Sequence, residues 1–241
     1  MSHWQIVADF HTHTIFSPHA YSTVSENAAE AANDGLYAIA MTDHGMEIPD
    51  SSHHWHFGNL KILPPHIHGV RVLKGIEANV LDRDGRLDAP DTTLEELELV
   101  LASMHGGVMK DPSIDACTSA WTAIAKNPHV DIIGHAGTPQ FAFDYEAVIP
   151  LFAEHGKVVE VNEGTFRVRR DSYENCKCIV KLCKRYGVHV AVNSDAHFYT
   201  HVGKFAEATA LLDEVGFPPE LVVNSSKERL EAFLSKKGLS L

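Results

Sequence analysis

Asp9-Phe10-His11-Thr12-His13 sets the reading of the whole chain. Ile6-Val7-Ala8 leads into it as a short apolar run, the mark of a buried strand. Residues i and i+2 of an extended strand point to the same side. His11 and His13 therefore aim two imidazoles at one point, as a first-row metal requires. A third histidine, His19, follows in the loop after Pro18.

Further strand-like apolar runs cover 37–43, 70–80, 99–104, 130–134, 158–162 and 189–194, after the first at 6–11. Helix-like stretches lie between them near 25–34, 116–127, 145–155, 175–186 and 206–215, and a last helix spans about 227–237. Gly35, Gly156, Gly187 and Gly216 each follow a helix at a C-cap position. Strand–helix alternation implies parallel strands with crossover helices. Seven such strands fit an α/β fold, a closed or nearly closed (β/α)7 barrel, in one domain over residues 1–241. No linker, low-complexity tract or internal repeat interrupts it.

The strand ends carry ligand-type residues one after another. Strand two ends in Asp43-His44-Gly45, and the third carries Glu77 near its end. The next two end in His105-Gly106 and Gly134-His135. The sixth ends in Glu160-Val161-Asn162-Glu163 and the last in Ser194-Asp195-Ala196-His197. In a parallel barrel these ends meet on one face, where active sites of such folds are built. The best candidates are His11, His13, His19, His44, Glu77, His105, His135, Asp195 and His197. One tetrahedral zinc takes three or four protein ligands, so nine fit three divalent ions best. Imidazole with carboxylate suits zinc first, with manganese or iron as alternatives. Glu77 can bridge two ions through its two oxygens.

Composition narrows the partners. The formal charge of −12 disfavours extended nucleic acid and anionic membranes. A phosphate ligand would need a locally positive site, which metal ions supply. No run reaches membrane-spanning length, and Met1-Ser2-His3-Trp4 has no basic or apolar leader pattern, so the expected location is cytoplasmic. Three of the four cysteines, Cys176, Cys178 and Cys183, fall in one expected helix, where Cys176 and Cys178, two apart, face different directions, which reads as reduced thiols rather than a zinc knuckle. Exposed barrel helices leave homo-oligomer formation open.

His11-x-His13, Thr42-Asp43-His44-Gly45, Gly75-Ile76-Glu77, Gly134-His135 and Ser194-Asp195-Ala196-His197 together resemble the PHP (polymerase and histidinol phosphatase) family over nearly the whole chain. His53-His54-Trp55-His56-Phe57 is similar to the YcdX-type phosphatases of that family. The resemblance implies a distorted seven-stranded barrel with a trinuclear metal centre at the strand C-termini. It also implies a partition. His11, His13, Glu77 and Asp195 would hold one ion, Glu77, His105 and His135 the second, and His19, His44 and His197 the third.

The expected activity is hydrolysis of a small phosphate monoester by a metal-bound hydroxide. Asp43 is expected to orient His44. Arg170, then Arg167, is expected to bind phosphate from the loop after strand six. The segment 53–57 is expected to lie in a long loop over the mouth, with Trp55 stacking and His54 donating to phosphate. Rival readings are a phosphodiesterase or exonuclease on short nucleic acids, histidinol-phosphate phosphatase, and an idle metal-binding scaffold. An amidohydrolase-type barrel would usually carry a carboxylated lysine at a strand end; Lys74 lies inside strand three instead.

Overall fold

A computed structural model describes residues 4–169 and 171–241. Its strands are β1 (Ala8–Thr12), β2 (Ala38–Met41), β3 (His66–Ile67), β4 (Val70–Asn79), β5 (Leu99–Ser103), β6 (Ile132–Ile133), β7 (Val158–Asn162) and β8 (Val190–Asn193). The helices are α1 (Val24–Asn33), α2 (His54–Asn59), α3 (Asp91–Leu94), α4 (Ile114–Lys126), α5 (Tyr145–Glu154), α6 (Glu163–Val168), α7 (Tyr173–Tyr186), α8 (Ala206–Val215) and α9 (Lys227–Ser235). Seven strands pair in parallel in the order β1-β2-β4-β5-β6-β7-β8, and β3 adds an antiparallel pair to β4. This is the expected α/β barrel, nearly closed.

Interior positions change character along each strand. Leu73, Leu99, Leu101, Ile132, Val158 and Ala191 form an apolar core low in the barrel. Two residues further along β5, β7 and β8, and four further along β4, the same face carries Ser103, Glu160, Asn193 and Glu77. The low end is closed by α9, whose Leu230, Phe233 and Leu234 pack into that core, with Phe233 5.4 Å from Phe10. Outside the barrel, α4, α5, α7 and α8 cover the sheet through a second core around Trp121, Phe152, Ile179 and Leu211.

Side chains close the seam between β8 and β1. Buried Asn224 donates to Ala8 O (2.8 Å) and Val192 O (2.7 Å) and accepts from Val192 N (3.1 Å). Phe10 N donates to Asn193 Oδ1 at 3.0 Å, and His13 N to Ala196 O at 2.9 Å.

Two stretches expected as loops are helical. Residues 54–59 form α2, started by His53, whose ring nitrogen accepts from Trp55 N at 3.3 Å. Histidine, tryptophan and Gly58 are weak helix formers, so composition hid it. Residues 163–168 form α6 directly after β7, capped by Asn162 Oδ1 accepting from Thr165 N at 2.6 Å. A six-residue helix is too short to show periodicity.

Candidate metal centre

The first strand aims its histidines inward by means of an irregularity. Ala8 pairs with Ala38 and Asp9 with Ile39, yet Thr12 pairs with Met41, so β1 carries one extra residue. A strict alternation that puts Ala8 and Phe10 inside would put His11 and His13 outside. The bulge resets the parity. Phe10 stays in the interior core, while His11 and His13 also reach the interior carboxylates.

Glu77, near the end of β4, is wholly buried and ringed by five histidines. Its Oε1 lies 2.8 Å from His135 Nε2, 3.4 Å from His105 Nε2 and 3.4 Å from His11 Nε2. Its Oε2 lies 2.6 Å from His44 Nδ1 and 3.6 Å from His13 Nε2. Asp195 Oδ1 lies 3.3 Å from His13 Nε2, 3.6 Å from His11 Nε2 and 3.5 Å from His197 Nδ1. His19 joins through His44, Nε2 to Nε2 at 3.3 Å, with its ring 4.5 Å from that of His197. All nine expected ligands therefore meet in one cluster.

The backbone is bent to achieve this. His135 has φ 26° and Asp195 φ 56°, left-handed values costly for residues with a Cβ. A Cβ at Gly134 would fall 2.1 Å from Ser103 Oγ, so glycine lets this strand end approach β5 and deliver His135.

Hydrogen bonds to the far side of the rings select the tautomers. His11 Nδ1 faces Glu160 Oε1 at 2.7 Å, and His105 Nδ1 faces Asn79 Oδ1 at 2.6 Å. His197 Nδ1 faces Asp195 O at 3.0 Å. His13 Nδ1 faces Ser17 Oγ at 3.0 Å, whose own proton goes to Asp43 Oδ1 at 2.7 Å. Each Nδ1 thus donates, and each Nε2 keeps its lone pair. Among the described residues, twelve buried side-chain N or O atoms make no hydrogen bond. Six of the twelve belong here: Nε2 of His11, His13, His105 and His197, Nδ1 of His44 and Oε2 of Glu77. Buried polar atoms ordinarily find partners, so a concentration of orphans in one place fits an electrophile bound among them.

Electrostatics agree with ligand chemistry. Burial pushes the Glu77 carboxyl up, but His105, His11 and His44 outweigh it and hold it well below its ordinary value. Burial, with His197 and His44 adding, holds His19 at about 4, and burial, with Arg169 adding, holds His135 at about 4. Neutral imidazoles and ionised carboxylates are the forms that bind a cation. His11 goes the other way: burial lowers it, but Glu160, Glu77 and Asp195 raise it well above its ordinary value.

Three groups have their donor atoms within 4.8 Å of one another: His11 with His13 and Asp195, His44 with Glu77 and His105, and His13 with His44 and His197. The first contains three of the four residues expected for one ion; the second has His44 where His135 is expected, and the third has His13 where His19 is expected. In the others, His44 stands between two groups, with Nδ1 toward Glu77 and Nε2 toward His19. The cluster can hold divalent metal ions.

The surrounding residues differ from expectation in four places. Glu160, within β7, is not among the nine expected ligands. It accepts from the His11 ring, from His135 N at 2.8 Å, and from Asn162 and Asn193 at 3.0 and 2.9 Å. Glu160→Gln is expected to lower metal affinity and activity by about 10- to 100-fold without unfolding the protein, measured by metal titration and circular dichroism.

Asp43 acts through Ser17 rather than on the His44 ring. It accepts from Thr14 N at 2.7 Å, Thr14 Oγ1 at 2.8 Å and Ser17 Oγ, and Ser17 in turn receives the His13 ring and, at 3.2 Å, His44 N. Burial raises the Asp43 carboxyl, but His56, His13 and the Thr14 amide outweigh it and bring it to about 2.

Of the histidines in α2, His56 reaches this framework, 3.2 Å from Asp43 Oδ2, whereas His54 is exposed, with its ring against His53 and Trp55. Arg170 lies outside the described residues, and Arg167 is exposed. Among the described residues, Arg169 brings its guanidinium to the centre, with Nη1 3.4 Å from Asp195 Oδ2 and 3.2 Å from Thr165 Oγ1.

A nearly closed parallel barrel with a His–Asp–Glu cluster at the C-terminal ends of its strands defines a candidate metallohydrolase scaffold. This chain belongs to the PHP domain family, whose model matches residues 9–164. It is 46% identical over 236 residues to a protein named probable phosphatase from Thermoanaerobacter sp. (strain X514), covering 97% of this chain and 96% of that one. A probable phosphatase of Acetivibrio thermocellus is 43% identical, covering 97% of each chain. Among solved structures, histidinol phosphate phosphatase from Lactococcus lactis subsp. lactis, complexed with zinc, L-histidinol and phosphate, aligns with a TM-score of 0.59 at 15% identity over 88% of this chain and 94% of that one. A chain of archaeal ribonuclease P aligns with a TM-score of 0.60 at 12% identity over 95% and 90%. At these identities the structural likeness is one of fold. Among the described residues no helix is long and apolar enough to cross a membrane.

Proposed function

We propose that this protein is a metal-dependent phosphatase of small phosphate monoesters, holding three divalent ions, with zinc the leading candidate. The observation that carries this reading is the set of four imidazoles whose Nδ1 atoms are tied to acceptors while their Nε2 atoms stand unpaired around Glu77 and Asp195. Partners of this kind fix metal-binding imidazoles in one tautomer and orientation and leave the other nitrogen for the ion. The names of the relatives support phosphatase chemistry, and the Lactococcus enzyme supports zinc and phosphate on this fold.

Bound divalent ions would supply acidified water and neutralise phosphate charge. The chain's own residues do the rest. Glu160, Asn79 and Ser17 hold the imidazoles in one tautomer. Arg169 offers a guanidinium fork for two phosphate oxygens. A phosphate would draw it from its single long contact with Asp195.

Arg169→Ala is expected to raise KM for a phosphate monoester by about 10-fold or more, with Arg169→Lys restoring part of it, as charge-assisted hydrogen bonds contribute about 1.5–3 kcal/mol. Steady-state kinetics checks this; an unchanged KM would remove Arg169 from the site. The reading as a whole is tested by comparing p-nitrophenyl phosphate with bis-p-nitrophenyl phosphate, using zinc-loaded and chelated protein. Preference for the monoester, lost on chelation, is the expected result. Preference for the diester would make the protein a phosphodiesterase instead.

A further inference from the structure

The helix α2 has two faces with different surroundings. Phe57 turns inward and is buried, and His56 packs on Phe16 with ring centroids 4.3 Å apart while reaching Asp43. Trp55 turns outward and is 74% exposed, edge-on to His53 at 5.2 Å. Phe16, Trp55, His54 and Ile62 line an open groove along this helix. Lys61 is the one lysine, arginine or carboxylate residue among those lining it.

The wider surface points the same way. Among the described residues, ten large apolar side chains are exposed. Ile15, Phe16 and Tyr21 lie in the loop after β1, Trp55 in the segment after β2 and Phe198 just after β8, and each of these strands leads into the cluster. Exposed apolar surface gathered around a site, rather than scattered, marks something that binds there.

The groove flanks the metal cluster, with buried Asp43 and Ser17 between them. Its walls Phe16 and His56 lead through Asp43 and Ser17 to the His13 ring. The alcohol portion of a phosphate ester held at the cluster is the part that would extend toward these walls. A groove of aromatic rings with imidazole edges and almost no charge suits a flat, uncharged ring and does not suit a sugar or a charged side chain.

We infer that the α2 groove binds a flat aromatic ring in the alcohol portion of the substrate, an inference that rests on the phosphatase reading above. Trp55 and Phe16 supply the faces. The ring belongs either to an aryl alcohol or to the base of a nucleotide; the two share the stacking chemistry.

The test compares 1-naphthyl phosphate, AMP and glycerol 2-phosphate on the zinc-loaded protein and on Trp55→Ala. Trp55 is largely exposed, so its removal spares the core. In the native protein, KM for 1-naphthyl phosphate is expected to lie below that for glycerol 2-phosphate. Trp55→Ala is expected to narrow that ratio by about fivefold or more. A response by AMP as well as 1-naphthyl phosphate supports the inference and assigns the ring to a nucleobase. A response by 1-naphthyl phosphate alone supports it and assigns an aryl alcohol. Equal KM values, or a ratio unmoved by Trp55→Ala, overturn it.

Should none of the three esters be hydrolysed, the phosphatase reading fails. The groove is then judged by calorimetric binding of 1-naphthyl phosphate. Binding weakened by Trp55→Ala upholds the groove, and binding equal in both proteins overturns it.

Discussion

Glu77→Gln will abolish phosphate-ester hydrolysis, with a loss of about a thousandfold or more, and will leave the protein short of more than one metal equivalent. The carboxylate is wholly buried, with five histidine nitrogens between 2.6 and 3.6 Å from its two oxygens. Oε1 faces His11, His105 and His135, and Oε2 faces His13 and His44. No other side chain in the cluster touches so many ligands. Glutamine keeps the shape but removes the charge and turns one acceptor into a donor, which faces imidazoles instead of a cation. Several kcal/mol of charge stabilisation are at stake, and about 4 kcal/mol is a thousandfold in rate. His19→Ala will be milder, because among the described residues the His19 ring meets the cluster at His44 and His197, against five histidines for Glu77. Metal content per chain and steady-state rates of both variants decide the matter. A Glu77→Gln protein with full metal and full activity would end the bridging role.

Asn224→Ala will lower stability by about 3–5 kcal/mol, with Tm falling by roughly 10 °C. The side chain is fully buried and supplies hydrogen bonds to the backbone on both sides of the seam. Alanine leaves Val192 N, Val192 O and Ala8 O without those partners, and each buried orphan costs about 1–3 kcal/mol. A loss of that size is a large part of the 5–15 kcal/mol that holds a typical domain together. Urea unfolding of the metal-free protein measures it directly. Because β1 and β8 carry His11, His13 and Asp195 at or just beyond their ends, the variant will also bind metal more weakly. Unchanged stability would mean that the seam is held by its backbone bonds and the flanking helices alone.

Much of the barrel was legible without coordinates. Runs of Val, Ile, Leu and Ala mark strands buried on both faces, and Gly35, Gly156, Gly187 and Gly216 all take the left-handed conformation that a helix C-cap requires. The short elements were not legible. A two-residue strand such as β3 and six-residue helices such as α2 and α6 hold too few residues for a period to emerge.

The sequence by itself determined the donor set. Histidine, aspartate and glutamate at the ends of successive parallel strands must converge, because parallel strands share one C-terminal face, and all nine do converge. Only the tertiary structure decided which second residues hold them. Glu160 and Asn79 act on rings 149 and 26 positions away in the chain, a relation that no local spacing encodes. Tertiary packing also brought Arg169, rather than the exposed Arg167, to the cluster, and chose His56 among adjacent histidines, since the direction of a side chain depends on its backbone position. The parity of β1 belongs with these. One extra residue between Asp9 and Thr12, set by pairing with β2, turns His11 and His13 toward the barrel interior.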